Sequence, residues 1–286
     1  MLSFLPGPIR GVISLLLYVI NTVFWTVVLL LVALLKLLIP VTAWRKFCSK
    51  VMHAIGGIWI LLNNCNMRLI NKIRWDVRFS DKLKSNEWYL VIANHQSWVD
   101  ILVLQKIFHR KIPFLKFFLK KELIWVPVLG LAWWALDYPF LERSSATYKD
   151  LETTRKACDK FKTIPVSIMN FVEGTRFTIE KHRKQGSPYS HLLKPKAGGI
   201  AFVLAAMGEQ LHSILDVTIA YPKGAKSFWG FLCGEVNDIK VRVESLPIDR
   251  ELSADYFQSR ESRHQFRNWL NTLWAGKDRR MEDLLI

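Results

Sequence analysis

The chain has 286 residues, enough for one large domain or two small ones with a sizeable core, and hydrophobic residues make up 51% of it. Forty Lys and Arg against 24 Asp and Glu leave a formal charge of +16, which suits nucleic acid, an anionic membrane surface or a phosphorylated substrate. No recognised nucleic-acid signature accompanies that charge, and twelve Trp residues favour the membrane headgroup region instead. Cys48, Cys65, Cys158 and Cys233 are scattered without a Cys-x-x-Cys pair, which argues against a zinc site or a disulfide framework and fits a reducing cytoplasmic environment.

Residues 11–35 carry no charge and are mostly Leu, Val, Ile or aromatic. As a helix this run would be roughly 37 Å long, enough to cross a ~30 Å hydrocarbon layer with some tilt. A cleaved signal peptide would have an apolar region about half as long and a small-residue cleavage site. Lys36, Arg45, Lys46 and Lys50 follow the run and only Arg10 precedes it, so the positive-inside bias puts the C-terminal bulk in the cytoplasm. Residues 44–62 mix these cations with Val51, Met52, Ile55, Ile58, Trp59 and Leu62 at helical spacing. Such an amphipathic helix either lies in the membrane interface or pairs with the first helix as a hairpin entering one leaflet. The expected division is residues 1–70 as membrane-anchoring helices and residues 71–286 as a second domain.

Beyond residue 71 strand and helix patterns alternate. Strands are predicted at 75–79, 88–93, 136–141, 167–171, 215–220 and 240–244, and helices at 98–108, 148–161, 197–207 and 256–274. The alternation implies an α/β layered domain with a mixed or mainly parallel sheet. Residues 178–190, rich in Lys, His, Gln, Gly and Ser, read as an exposed loop.

Two turns carry candidate chemistry. The first follows residues 88–93 and reads Asn94-His95-Gln96-Ser97-Trp98-Val99-Asp100. On one continuous helix His95 and Asp100 would point about 140° apart. They meet if His95 lies in the turn and Asp100 in the first helical turn, reaching back to fix the imidazole tautomer and free the other ring nitrogen for a substrate hydroxyl. Ser97-x-x-Asp100 fits a helix capping box equally well, which would leave His95 an ordinary turn residue. The second turn follows residues 167–171 and reads Val172-Glu173-Gly174-Thr175-Arg176. Its glycine permits close backbone approach, and Arg176 suits two parallel hydrogen bonds to a phosphate.

Together, Asn-His-x4-Asp followed by Phe-x-Glu-Gly-Thr-Arg resembles the glycerophospholipid acyltransferase family, whose best-known members acylate lysophosphatidic acid. Two further blocks stand in the expected order: Lys120 in Leu119-Lys120-Lys121-Glu122, and Phe140-Leu141-Glu142-Arg143, where Glu142 replaces the usual Asp. Lys194-Pro195-Lys196-Ala197-Gly198-Gly199 and Asp216-Val217-Thr218-Ile219-Ala220-Tyr221-Pro222 look like the branch with lysocardiolipin acyltransferases and related bacterial inner-membrane enzymes. The resemblance implies direct acyl transfer from acyl-CoA or acyl carrier protein as co-substrate to a lysophospholipid hydroxyl, with no other cofactor and no metal. It implies a general base at His95 supported by Asp100. It assigns Lys120, Arg143 and Arg176 to the acceptor phosphate, with Glu173, Gly174 and Thr175 shaping the pocket. It also implies a bacterial cytoplasmic membrane with the catalytic domain on the cytoplasmic side. No Gly-x-Ser-x-Gly elbow is present, and a covalent acyl-enzyme is not expected.

Overall fold

The structure, a computed structural model, describes residues 2–117, 119–138, 140–141, 164–248, 256–257 and 259–286. Helix α1 (Gly7–Leu38) and helix α2 (Thr42–Ile70) form a hairpin. Only Ile39, Pro40 and Val41 separate them, which forces antiparallel neighbours. The Leu2 amide donates to the Leu69 carbonyl at the open end of the hairpin (3.1 Å). The buried face of α1 is built largely from small residues, Gly11, Ser14, Thr26, Leu29 and Ala33. Polar contacts cross that seam: Ser14 Oγ to Asn66 Oδ1 (3.3 Å), Asn21 Nδ2 to Asn63 Oδ1 (2.8 Å) and Trp59 Nε1 to Thr22 Oγ1 (3.2 Å). Each is sheltered, so each fixes the axial register of the pair.

The hairpin is packed on the rest of the chain along its length. A Cβ at Gly11 would meet Cys233 Sγ at 2.8 Å, Tyr18 packs on the main core, and Leu29 and Ala33 join Ala132, Ala135 and Tyr138 in a cluster of their own. Lys36 pairs with Asp137 at 2.8 Å. The opposite face of α1, including Leu16, Ile20, Phe24, Val27 and Leu31, is exposed. Among the described residues α1 is the one helix long and apolar enough to cross a membrane.

A six-stranded mixed sheet follows, in the order β1-β8-β7-β2-β6-β3. Its strands are β1 (Arg74–Phe79), β2 (Trp88–Ala93), β3 (Leu115–Phe117), β6 (Ser167–Phe171), β7 (Leu211–Ala220) and β8 (Asp238–Leu246). Only the β7–β8 pairing is antiparallel. A two-residue pair, β4 (Leu119–Lys120) with β5 (Phe140–Leu141), lies apart from it. Central strand β2 is buried on both faces, as its unbroken run of Tyr, Leu, Val, Ile and Ala requires. Tyr89, Val91 and Ala93 face α3 (Val99–Phe108) in one core. Leu90 and Ile92 face α6 (Ala197–Met207) and α8 (Arg260–Leu285) in the other; the short α7 (Phe228–Leu232) lies between those two in the chain.

Helix α8 is tied to the sheet by charge as well as by Phe266, Leu270 and Trp274. Lys277, fully buried, reaches Asp216 at 2.6 Å, and Arg280 bridges Asp216 (2.5 Å) and Glu244 (2.7 Å). Burial holds the Lys277 ammonium below its ordinary range, with Asp216 opposing that shift. An ion pair sealed this way is costly to break from one side.

Several sequence expectations change. The strand expected at 136–141 shrinks to Phe140–Leu141, because α4 (Leu129–Ala135) runs up to Leu136 and Asp137 turns the chain with φ 57°. The loop expected at 178–190 contains α5 (Ile179–Gln185), capped by Thr178 accepting from the Lys181 amide and closed by Gly186 at φ 53°. The helix expected at 256–274 begins instead at Arg260 and runs to Leu285. The helix expected at 148–161 lies outside the described residues.

Candidate active site

Parallel strands β2 and β6 are adjacent, with Ala93 opposite Phe171 in register. Both candidate turns therefore leave the sheet side by side at its carboxyl end, where open α/β sheets form their binding crevices. Asn94 anchors the first turn by clasping the Ile219 backbone of β7: its Nδ2 donates to the carbonyl (2.9 Å) and its Oδ1 accepts from the amide (2.8 Å). The Phe177 amide donates to the His95 carbonyl (2.7 Å) and binds the two turns to each other.

Asp100 reaches back from the first turn of α3, as one of the two sequence readings requires. Its Oδ2 lies 2.8 Å from His95 Nδ1 and also accepts from the amides of Gln96 (2.7 Å) and Ser97 (2.9 Å). The capping reading and the histidine-orienting reading are thus both realised by one oxygen. Ser97 Oγ accepts from the Val99 amide (3.3 Å) and donates to the Lys226 carbonyl (2.9 Å). On the other oxygen, the Tyr221 hydroxyl donates to Asp100 Oδ1 at 2.5 Å. Burial, reinforced by Asp100, raises that phenol well above its usual range and keeps it a donor.

The His95 ring stacks on Phe171, centroids 3.9 Å apart and planes 13° apart. With Nδ1 engaged by a carboxylate, the favoured tautomer leaves Nε2 as the proton acceptor. His95 as a residue is 9% exposed.

In the second turn Gly174 has φ 68°, and a Cβ there would stand 3.2 Å from Lys196 Nζ. The positive φ is what calls for glycine, since the flexible end of Lys196 could give way to a Cβ. Thr175 Oγ1 accepts from Lys181 Nζ (2.8 Å), which also reaches the Arg176 carbonyl (3.0 Å). The Arg176 guanidinium lies 4.5 Å from the centroid of the Trp98 ring, so a residue of the first turn positions a cation of the second. Glu173 is fully buried and faces inward: its Oε1 lies 3.4 Å from the His95 amide and its Oε2 has no hydrogen-bond partner. Burial pushes its carboxyl up to about 8, with the Asp100 charge adding to the rise and the His95 amide opposing it.

His95, Asp100, Glu173, Gly174, Thr175 and Arg176 are therefore brought together. The backbone of Lys120 lies in β4, and Arg143 lies outside the described residues. Sequence reasoning named Asn94 and Trp98 only as members of the first motif, and Lys196 and Tyr221 only as members of a branch signature, without roles, and it did not assign Lys181 to this region. Tyr221 stands 121 positions from Asp100, and only the β2–β7 pairing reveals their meeting.

A family model described as Acyltransferase matches residues 74–222, just over half of the chain, and spans both turns. The chain belongs to the acyltransferase family. Over 206 residues it is 27% identical to 1-acyl-sn-glycerol-3-phosphate acyltransferase gamma of Mus musculus, covering 67% of this chain and 52% of the mouse protein. Over 252 residues it is 25% identical to a probable 1-acyl-sn-glycerol-3-phosphate acyltransferase 5 of Arabidopsis thaliana, covering 83% and 64%. The chain spans little more than half the length of the first of these relatives. The acyltransferase fold is also that of the crystal structure of the 1-acyl-sn-glycerophosphate (LPA) acyltransferase PlsC from Thermotoga maritima. There the TM-score is 0.55 at 20% identity, over 96% of this chain and 98% of the other.

Proposed function

We propose that this acyltransferase-family protein moves a fatty acyl group from acyl-CoA or acyl carrier protein to the free hydroxyl of a lysophospholipid, with lysophosphatidic acid the preferred acceptor and phosphatidic acid the product. The observation that carries the reading is the His95–Asp100 contact of 2.8 Å beside the Gly174 turn and Arg176. His95 Nε2 takes the proton of the acceptor hydroxyl as its oxygen attacks the thioester carbonyl. The tetrahedral intermediate collapses with cleavage of the C–S bond, and the imidazolium returns the proton to the departing thiolate. Asp100 and Tyr221 hold the ring and its charge, Arg176 binds the acceptor phosphate, and Gly174 lets that phosphate approach the backbone. Lys120 and Arg143 are proposed as further phosphate ligands on the resemblance alone. The relatives' printed activities support the same acceptor.

The exposed apolar face of α1 supports membrane attachment through residues 1–70, with residues 71–286 as the acyltransferase domain. The contacts of Leu2 with Leu69 and of Lys36 with Asp137 hold both ends of α1 to the protein, which favours a hairpin seated in one leaflet over a helix crossing the bilayer. We place it at a bacterial cytoplasmic membrane with the site facing the cytoplasm.

The test is an acceptor panel with labelled acyl-CoA: lysophosphatidic acid against lysophosphatidylglycerol, lysocardiolipin and lysophosphatidylcholine. Lysophosphatidic acid should give the highest kcat/KM. A panel in which lysophosphatidylcholine is its equal overturns the phosphate-binding assignment.

A further inference from the structure

A second concavity lies at the other end of the sheet. A cavity of about 680 Å³ is lined by the segments that lead into three parallel strands: Ser85 and Asn86 before β2, Pro113 and Phe114 before β3, and Ile164 and Pro165 before β6. His95 follows the opposite end of β2. Six residues at ~3.3 Å each put the two sites about 20 Å apart. The volume falls within the range of ordinary small-molecule sites.

The lining combines three kinds of surface. Ile58 and Ile60 of α2, Phe108 of α3, and Ile112, Phe114 and Leu115 provide apolar walls. Ile58, with Leu61 and Leu62 of the same helix, is exposed, so the cavity borders an apolar part of the α1–α2 hairpin proposed to attach the chain to the membrane. The charged side chain in the lining is Arg110, with His53 and His109 as neighbours, and no carboxylate lines the cavity among the described residues. Arg110 is exposed, makes no ion pair among the described residues, and holds a left-handed backbone at φ 62°. Finally, Gln105 is 7% exposed, lines the cavity, and its Oε1 has no hydrogen-bond partner. A buried amide oxygen left this way is costly, and a ligand hydroxyl would satisfy it.

We propose that this cavity binds a single-chain anionic lipid bearing a free hydroxyl, the chemistry of a lysophosphatidate, at a site separate from His95. The alkyl chain lies along the Ile58–Phe108–Phe114 wall, the headgroup phosphate meets Arg110, and the glycerol hydroxyl donates to Gln105 Oε1. The site would hold substrate-class lipid at the membrane border without presenting it to the catalytic turn.

Two substitutions test this without threatening the fold. A Cβ added at Gly57 of α2, which lines the cavity, meets nothing within 4 Å, and Phe is a better helix residue than Gly. Arg110→Gly suits the positive φ. Native mass spectrometry of the full chain released from detergent, with 1-oleoyl lysophosphatidic acid and no acyl donor, counts the bound lipids. Gly57→Phe should hold one lipid fewer than the wild type while keeping acyl transfer at saturating substrate within about twofold. Arg110→Gly should weaken that same binding event about tenfold and leave binding of monooleoylglycerol unchanged. Equal lipid counts in wild type and Gly57→Phe would overturn the proposal. So would a Gly57→Phe protein whose acyl-chain-length preference changes, since the cavity would then be the far end of the catalytic acyl channel. Oleate competing as well as lysophosphatidic acid would overturn the hydroxyl contact to Gln105.

Discussion

Asp100 and Glu173 sit beyond the ends of neighbouring parallel strands, and both are fully buried. Their surroundings differ in one respect. Asp100 receives the His95 ring, two backbone amides and the Tyr221 hydroxyl on its two oxygens. Glu173 has a long contact to the His95 amide, a weak one to the Leu193 backbone, and an Oε2 without a well-formed hydrogen bond. Four converging donors are what an ionised carboxylate accepts, whereas a carboxyl with almost none is better off keeping its proton. The supply of donors, more than depth, separates a charged partner for an imidazole from a neutral wall behind the pocket.

Substitutions that exchange oxygen for an amide or remove a hydroxyl probe this contrast, and the largest effect belongs to Asp100. Asp100→Asn should lower turnover by about 10²–10⁴, the usual scale of general-base catalysis, because the amide can donate where the carboxylate accepted and leave the ring in the wrong tautomer. The same oxygen caps α3, so the variant should also lose on the order of 1–2 kcal/mol of stability. Ser97→Ala is the control: a similar stability loss in thermal denaturation with turnover spared. Near-full turnover in a folded Asp100→Asn protein would remove the functional half of the comparison.

On the second turn, Arg176→Lys should raise the acceptor KM about tenfold and move turnover little. Lysine keeps the charge but loses the planar fork, and a charge-assisted hydrogen bond is worth about 1.5–3 kcal/mol. Unchanged acceptor saturation would separate Arg176 from the phosphate. Tyr221→Phe removes one of the four donors to Asp100 and should lower turnover severalfold, up to about tenfold, without changing the acceptor KM.

Glu173→Gln should show the smallest change in rate and a distinct change in stability. The folded carboxyl is held near 8 against an ordinary 4.5, so the folded chain keeps a proton that the unfolded chain releases. Stability then falls as pH rises from about 4.5 to 8 and levels off above, a contribution on the order of 3–5 kcal/mol. Chemical denaturation of both proteins at pH 5 and pH 8 measures it, and the Gln variant should lose less stability over that interval. Equal pH dependence in the two proteins would mean that Glu173 is ionised in the fold.

What the sequence disclosed tracks how local each signal is. Strands β2 and β6 and helix α6 were legible to the residue, because their apolar runs are broken by Asn94, by Glu173-Gly174 just past β6, and by Gly208. Helix α5 was hidden because it is polar apart from Ile179 and buries no residue, although Thr178 and Gly186 at its two ends are ordinary cap residues. The hairpin seam could not be read because Ser14, Asn21, Asn63 and Asn66 look like interruptions of apolar helices until the two are paired. At the site, spacing left two readings of Asp100 open, and the structure shows that they are compatible. Tyr221, Trp98 and Lys181 escaped because their roles depend on contacts between separate elements.

The central claim is that the His95 turn passes an acyl group directly to a lysophospholipid hydroxyl, and one labelling experiment tests it most directly. Purified full-length protein is incubated with acyl-labelled acyl-CoA, with and without lysophosphatidic acid, and the label is followed among thioester, free fatty acid, protein and phospholipid. The account predicts that the label stays on acyl-CoA when no acceptor is present and passes to phosphatidic acid when it is, with none bound to protein. Free fatty acid released without acceptor would make His95 the base of a hydrolase, and label retained on the protein would replace direct transfer with an acyl-enzyme.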